Sequence, residues 1–442
     1  MTDGAAMPLH SSAMALPNLD RIIRGLLLVF IFSLPFKGLL FLERNGFIIL
    51  LILLGIWCVA HRRHFFIRTP LDLPLVVFVS WVALTIPFAT YPVYSLKEFG
   101  KLLQQGLIFY TVVFFFRDRT HWIRLVWLLV GTLVVVASNG LVRFEETTTG
   151  HGSFLTAEVW LTTYLIMMLP VCFALAWLDD RPWARGFFAV GAAVAVSCLF
   201  LTQSRAGLLA FLVELWAFAM LLKRRAMLIT AAAVTVMLVA AVLLLVKVTT
   251  TADGEMTIVP RVSVPIKTST FSFVHRLDIW TFALKRIAEH PLAGIGYGKE
   301  TSKMLFGQVP EDNVPPGHAP VRKHGTHNIL LEVALLVGIP GMLLFVWLAV
   351  RLARTLFKSY RLAEDAQARA VLLGVGVGVI GLAVRLQFDQ MLVGTLAIQF
   401  WVLTGIAIAA AEPYRAMGMA SSQAAEIHPI DELRSSPNLS SG

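Results

Sequence analysis

KHGTHNILLEVALLVGIPG, residues Lys323–Gly341, joins the densest polar cluster of the chain to an almost unbroken apolar run. Two histidines, a lysine and an asparagine fall within Lys323–Asn328, and from Ile329 to Gly341 only Glu332 is charged. The apolar character continues to about residue 356. A helix of about 20 apolar residues is enough to cross the hydrocarbon core of a bilayer. The polar cluster therefore stands at the lip of a membrane-length segment, and the same test applies to the rest of the chain.

Hydrophobic residues make up 57% of the 442 residues, charged ones 14%, and the mean hydropathy is +0.75. A soluble domain needs a charged surface that this composition does not supply, so an integral membrane protein is predicted. Apolar runs lie near 21–40, 46–60, 71–89, 100–116, 122–141, 155–178, 186–202, 206–222, 227–248, 328–356, 370–388 and 391–411. The expected fold is an all-α polytopic membrane protein with about twelve transmembrane helices and one long external loop. Cys58, Cys172 and Cys198 all lie inside apolar runs and form no CxxC pair, so they carry no redox or zinc signal. No pair of matched halves is visible, which counts against a transporter.

Orientation follows from basic residues in short loops. With the N-terminus inside, 20 of the 37 Lys and Arg residues fall on the cytoplasmic side and seven in the short outer loops. The net charge of +10 is read as this bias, and without a basic patch carrying interleaved aromatics no nucleic-acid partner is expected. The predicted organisation is a cytoplasmic segment 1–20 without signal-peptide features, and nine spans over 21–248. An external loop follows over 249–326, then three spans over 327–411 and a disordered cytoplasmic tail over 412–442. Inside the loop, HRLDIWTFALKRIAEH (His275–His290) reads as an amphipathic helix with Leu277, Trp280, Leu284 and Ile287 on its apolar stripe. Pro291 ends it, and GIGYG gives a turn.

Four features on the outer side offer chemistry, each beside a structural alternative. Arg205, in LTQSRAGLLAF, either snorkels to headgroups or binds an anion through its planar fork of donors, with Ser204 and helix-terminal amides beside it. Arg276 either lies on a solvated face or points inward from the loop helix. His324 and His327 share a helix face, but a catalytic zinc normally has three protein ligands, so no metal is expected. Thr326 or Asn328 suits a helix cap, whereas an imidazole suits a general base. Glu214, Glu332, Arg385 and Asp389 lie inside spans, where charges line cavities or pair; Arg385 and Asp389, four apart, are read as an ion pair. No phosphate-binding loop or dinucleotide fingerprint occurs, and DGE at 253–255 is a lone match to a nucleotide-sugar motif. No cofactor is expected, and an external site would need a donor already activated in the membrane.

SRAG at Ser204–Gly207, Arg276 with Trp280, EHPLAGIGYG at Glu289–Gly298, and His327-Asn328 heading a span together resemble the O-antigen ligase and polymerase superfamily. The resemblance covers roughly 200–356. His327-Asn328, nine residues, Gly338, two residues and Gly341 resemble the ligase motif in particular. The resemblance implies a GT-C-like, metal-independent, inverting glycosyltransferase of the bacterial inner membrane, with its site facing the periplasm. It would transfer O-antigen polysaccharide from undecaprenyl diphosphate to lipid A–core oligosaccharide, with membrane lipids around it. In this reading His327 is the base, Arg205 and Arg276 hold the diphosphate, and His324, Asn328 and Ser204 are secondary candidates. The alternatives are an O-antigen polymerase using the same donor, and a transporter of the lipid-linked glycan.

Overall fold

The computed structural model describes residues 17–143, 158–202, 204–250, 256–260, 271–306, 325–389 and 392–411. Each predicted apolar run is helical there. In chain order the helices are α1 (Pro17–Ser33), α2 (Leu40–His61), α3 (Asp72–Thr85), α4 (Pro92–Phe115), α5 (Arg119–Val142), α6 (Glu158–Leu178), α7 (Pro182–Leu201), α8 (Arg205–Leu222) and α9 (Arg225–Leu245). Then come α10 (Phe271–Glu289), the short α11 (Thr301–Phe306), α12 (Ile329–Leu362), α13 (Ala366–Arg385) and α14 (Gly394–Ala411).

Among the described residues, eight helices are long and apolar enough to cross a membrane: those ending at His61, Val142, Leu178, Leu201, Leu222, Leu362, Arg385 and Ala411. The chain is therefore a multi-pass membrane protein by length and composition, and the expected count of twelve is not reached on that measure. Two of the expected spans fall short for visible reasons: α3 has 14 residues, and the first half of α4 carries Lys97, Glu98 and Lys101. The chain also departs from an all-α expectation in one place. After α9, β1 (Val246–Thr250) pairs antiparallel with β2 (Met256–Pro260), Val246 opposite Pro260. Val246–Thr250 is rich in β-branched residues, which favour a pleated backbone over a further helical turn. The predicted tail and His324 lie outside the described residues.

α13 packs against α6, α8 and α12. Gly374 and Gly378 sit one turn apart, and small residues at that spacing let helix backbones approach closely. A Cβ on Gly374 would meet the Val171 Cα at 2.5 Å and the Pro170 carbonyl at 2.9 Å, and one on Gly378 the Met167 carbonyl at 3.1 Å. That face is filled by α6. Gly381 faces α8, where its missing side chain leaves room for the buried Glu214 carboxyl.

α12 was expected as one continuous span, but it is broken inside the apolar run. Val337 (φ −131°, ψ 16°) and Gly338 (φ 79°, ψ 172°) are non-helical. Pro340 is the cause: it has no N–H for the Leu336 carbonyl and its ring crowds that carbonyl. Backbone groups freed in an apolar environment have to find partners, and each does. Ile295 N donates to Leu335 O at 2.9 Å, Gly296 N to Leu336 O at 3.0 Å, the Trp81 indole to Val337 O at 2.9 Å, and Ile339 N donates to Pro291 O at 2.8 Å. The PLAGIGYG stretch is thus a strap laid into the break. Ile287, Ile295, Leu335 and Leu336 bury there with Phe78 and Val82 of α3 as a second, smaller core.

A Cβ on Gly338 would run into the carbonyl of Leu292, in a left-handed conformation that L side chains disfavour. Gly338→Ala is expected to destabilise the fold by about 2–4 kcal/mol, since both the clash and the backbone strain act on groups with nowhere to move. The measurement is thermal unfolding in detergent; an unchanged transition would show the strap to be loosely held.

Candidate functional site

The site grows from the start of α12. Asn328 (φ −150°, ψ 121°) is its N-cap, and the side-chain oxygen accepts from Leu330 N at 3.0 Å and Leu331 N at 3.1 Å. The same amide group donates to the Gln387 side-chain oxygen at 3.1 Å, while Ile329 N donates to Leu386 O at 2.9 Å. The first turn of α12 is therefore sewn to the end of α13. Of the two capping candidates, Asn328 takes the role. Thr326 is instead buried and clamped: its amide and hydroxyl lie 3.1 and 2.8 Å from Glu332 Oε2.

Between them sits His327, half-buried, with φ 50°. A left-handed backbone at a residue with a Cβ costs on the order of 1–2 kcal/mol, although His adopts it more readily than most. Strain of this kind persists where the surroundings hold it, and it concentrates at functional sites.

The loop helix α10 reaches this turn directly. The Trp280 indole donates to the Thr326 carbonyl at 3.2 Å. The buried side of α10 differs from the predicted stripe. Ile279, Ala283 and Ile287 are buried, with Arg276 and Trp280 half-buried beside them, whereas Leu277 and Leu284 are exposed. Ala283 is small enough to bring α10 onto α12, and that choice of face turns Arg276 inward. Arg276 lies one turn before Trp280, about 5–6 Å away at Cβ. Its guanidinium stands 5.7 Å from the centre of the Phe388 ring, a cation–π contact.

Phe388 follows the end of α13, where the predicted pair forms: Arg385 Nη2 donates to Asp389 Oδ2 at 3.4 Å, both residues buried. The charge environment of Arg276 ties the pieces together. Burial holds its pKa below the ordinary guanidinium value; Asp389 pulls it up, and Arg205 pushes it down. Arg276 thus feels both Asp389 and Arg205. Arg205 is exposed in the first turn of α8, whose N-cap Ser204 accepts from Gly207 N at 3.3 Å. Ser204 is at least partly used as a cap.

α10 thus brings Arg276 within electrostatic range of Arg205 and Asp389 and, through Trp280, against the turn that carries His327, although α8, α10 and α12 are far apart in sequence. His324 lies outside the described residues. Among the described residues, no cluster of three His, Cys, Asp or Glu side chains has the arrangement of a metal site. The side chains that sequence reasoning did not place here are Trp280 as a link, Phe388 and Gln387. In the sequence Trp280 stands on the apolar stripe and beside Arg276 in the family resemblance, with nothing to show that it links α10 to the His327 turn, and nothing in the sequence points to Phe388 or Gln387.

Below this polar end lies a cavity of about 380 Å³. Ile329, Glu332 and Gln387 line its upper wall; Leu336, Leu348 and Leu352 continue it down α12, and Leu382 and Trp401 close it from α13 and α14. This largely apolar cavity, bordered also by Glu98, Lys101, Gln105 and Lys299, reaches Gln387, the partner of Asn328.

No curated protein sequence matches this chain. Residues 190–346, which hold Arg205, Arg276 and His327 but not Arg385 or Asp389, match the model of the O-antigen ligase family; this part of the chain is similar to O-antigen ligases, and the match supports membership of the O-antigen ligase superfamily.

Proposed function

We propose that this protein transfers O-antigen polysaccharide from undecaprenyl diphosphate to a sugar of the lipid A–core oligosaccharide at the periplasmic face of the inner membrane. This narrows the O-antigen ligase/polymerase-type glycosyltransferase activity that its family indicates. The observation that carries the reading is the position of Arg276, which feels Arg205 and Asp389 and lies one turn from the residue holding the His327 turn.

The chemistry follows from these groups. His327 takes the proton of the acceptor hydroxyl, whose oxygen attacks the anomeric carbon opposite the diphosphate. The new C–O bond forms as the bond to the diphosphate breaks, the configuration inverts, and the electron pair leaves with undecaprenyl diphosphate. The leaving group gains negative charge, which Arg276 and Arg205 stabilise; positive groups already in place cost no reorganisation at that moment. A half-buried guanidinium opposed by a second one is relieved when an anion arrives. The apolar cavity accepts part of the polyprenyl tail, leaving the diphosphate at the polar end.

The test is the purified protein in liposomes with undecaprenyl diphosphate-linked glycan and lipid A–core on the same face. Glycan joined to lipid A–core is the expected product. Lengthening of the undecaprenyl-linked glycan with no use of lipid A–core would give the polymerase reading instead. Movement of donor across the bilayer without any product would give the transporter.

A further inference from the structure

We propose that Glu332 is a positioning residue for His327, an inference that rests on the glycan-transfer reading above. Glu332 is 5% exposed in the first turn of α12, and its Oε2 lies within hydrogen-bond reach of both the amide and the hydroxyl of Thr326, at 3.1 and 2.8 Å. Thr326 is itself 1% exposed, and its carbonyl accepts from Trp280. On the other side of His327, Asn328 is fixed by its capping bonds and by Gln387. The histidine is the middle residue of a turn held at both ends.

A carboxylate at this position is otherwise unexplained. Burying one is costly, and an apolar residue would line the cavity wall beside Ile329 and Leu336 without that cost. The helix does not need it as a cap, since Asn328 serves the first amides. The Glu332–Thr326 clamp accounts for the cost. The Glu332 carboxyl lies within hydrogen-bond reach of both the amide and the hydroxyl of Thr326, whose hydroxyl also lies 2.9 Å from the Asn328 carbonyl, and these contacts anchor the peptide immediately before a residue whose φ of 50° is intrinsically unfavourable. Because the Thr326 carbonyl also receives the Trp280 indole, the clamp sets the imidazole and the Arg276 helix in one frame. Glu332 acts through Thr326 and does not itself touch the reacting atoms.

The experiment measures kcat and donor KM in proteoliposomes for Glu332→Ala, Glu332→Gln, Thr326→Val and Thr326→Ser. A base displaced by about an ångström costs on the order of 10²-fold in rate, so Glu332→Ala and Thr326→Val are expected to lose kcat by about that factor with KM little changed. Glu332→Gln keeps an oxygen able to accept both bonds, and Thr326→Ser keeps the hydroxyl; each is expected to stay within about tenfold of the parent, as a lost general base would not. The proposal fails if Glu332→Ala keeps full kcat, or if Glu332→Gln is as inactive as Glu332→Ala, which would give Glu332 a direct part in proton transfer. Should the Glu332 variants not fold, equal activity of Thr326→Val and Thr326→Ser overturns it. Failure of the transfer reading is a separate result: the parent protein itself forms no product.

Discussion

His327→Ala is expected to lower glycan transfer by about 10²–10⁴-fold, the range over which a positioned general base contributes. The turn geometry makes a sharper version of the experiment possible. Alanine is poorly suited to φ 50°, so the alanine variant changes backbone preference as well as chemistry. Asparagine tolerates the left-handed region and still cannot take a proton at any working pH. His327→Asn should therefore be nearly as inactive as His327→Ala while its thermal unfolding in detergent stays close to that of the parent. Activity of His327→Asn within tenfold of the parent would remove the base role and leave His327 as a structural residue of the turn.

The parts of this architecture that sequence reasoning reached were those written in local patterns. Hydropathy located the long apolar helices, because the bilayer imposes a similar length and polarity on each, while α10 was legible from its amphipathic spacing and α11 was not foreseen. The ligase-like motif pointed to His327 and Asn328, and its glycines have a structural reason: Gly338 occupies a backbone conformation closed to other residues, against the Leu292 carbonyl. What was not legible depended on which surfaces meet. α10 packs on α12 and buries Ile279, Ala283 and Ile287, so Leu277 and Leu284, equally apolar in a helical projection, end up exposed. Pro340 lies inside a run expected to be continuous, and the break it makes is filled only because Pro291, Ile295 and Gly296 come back from about forty residues upstream. Gln387 and Phe388 join the site only because α13 ends beside the start of α12. Glu332 was visible as a charge inside a span, without any indication that its partner is Thr326.

Arg276→Ala is expected to reduce kcat by about 10²–10³-fold, roughly 3–4 kcal/mol of transition-state stabilisation, the usual consequence of losing one donor to a developing anion. Arg205→Ala should act in the same direction but less steeply. The two differ in surroundings: Arg276 is half-buried against Phe388, while Arg205 is exposed. A unit charge at 4 Å is worth about 4 kcal/mol at an effective dielectric of 20 and about 1 kcal/mol in water, so the better-shielded cation carries more of the stabilisation. Salt sharpens the contrast. At high ionic strength the exposed charge is screened first, so the rate lost to Arg205→Ala should shrink in salt, whereas the loss in Arg276→Ala should persist. Arg276→Lys retains the charge but neither the planar fork nor the same stacking on Phe388, and should recover only part of the rate. Because both guanidiniums meet one leaving group, the double variant should fall short of the sum of the single losses. The reading of Arg276 as the principal diphosphate ligand is lost if Arg276→Ala costs less than about tenfold, well below what an oxyanion-type donor supplies. It is equally lost if the whole effect lies in acceptor KM, since a residue that meets charge developing at the diphosphate acts on the bond being broken.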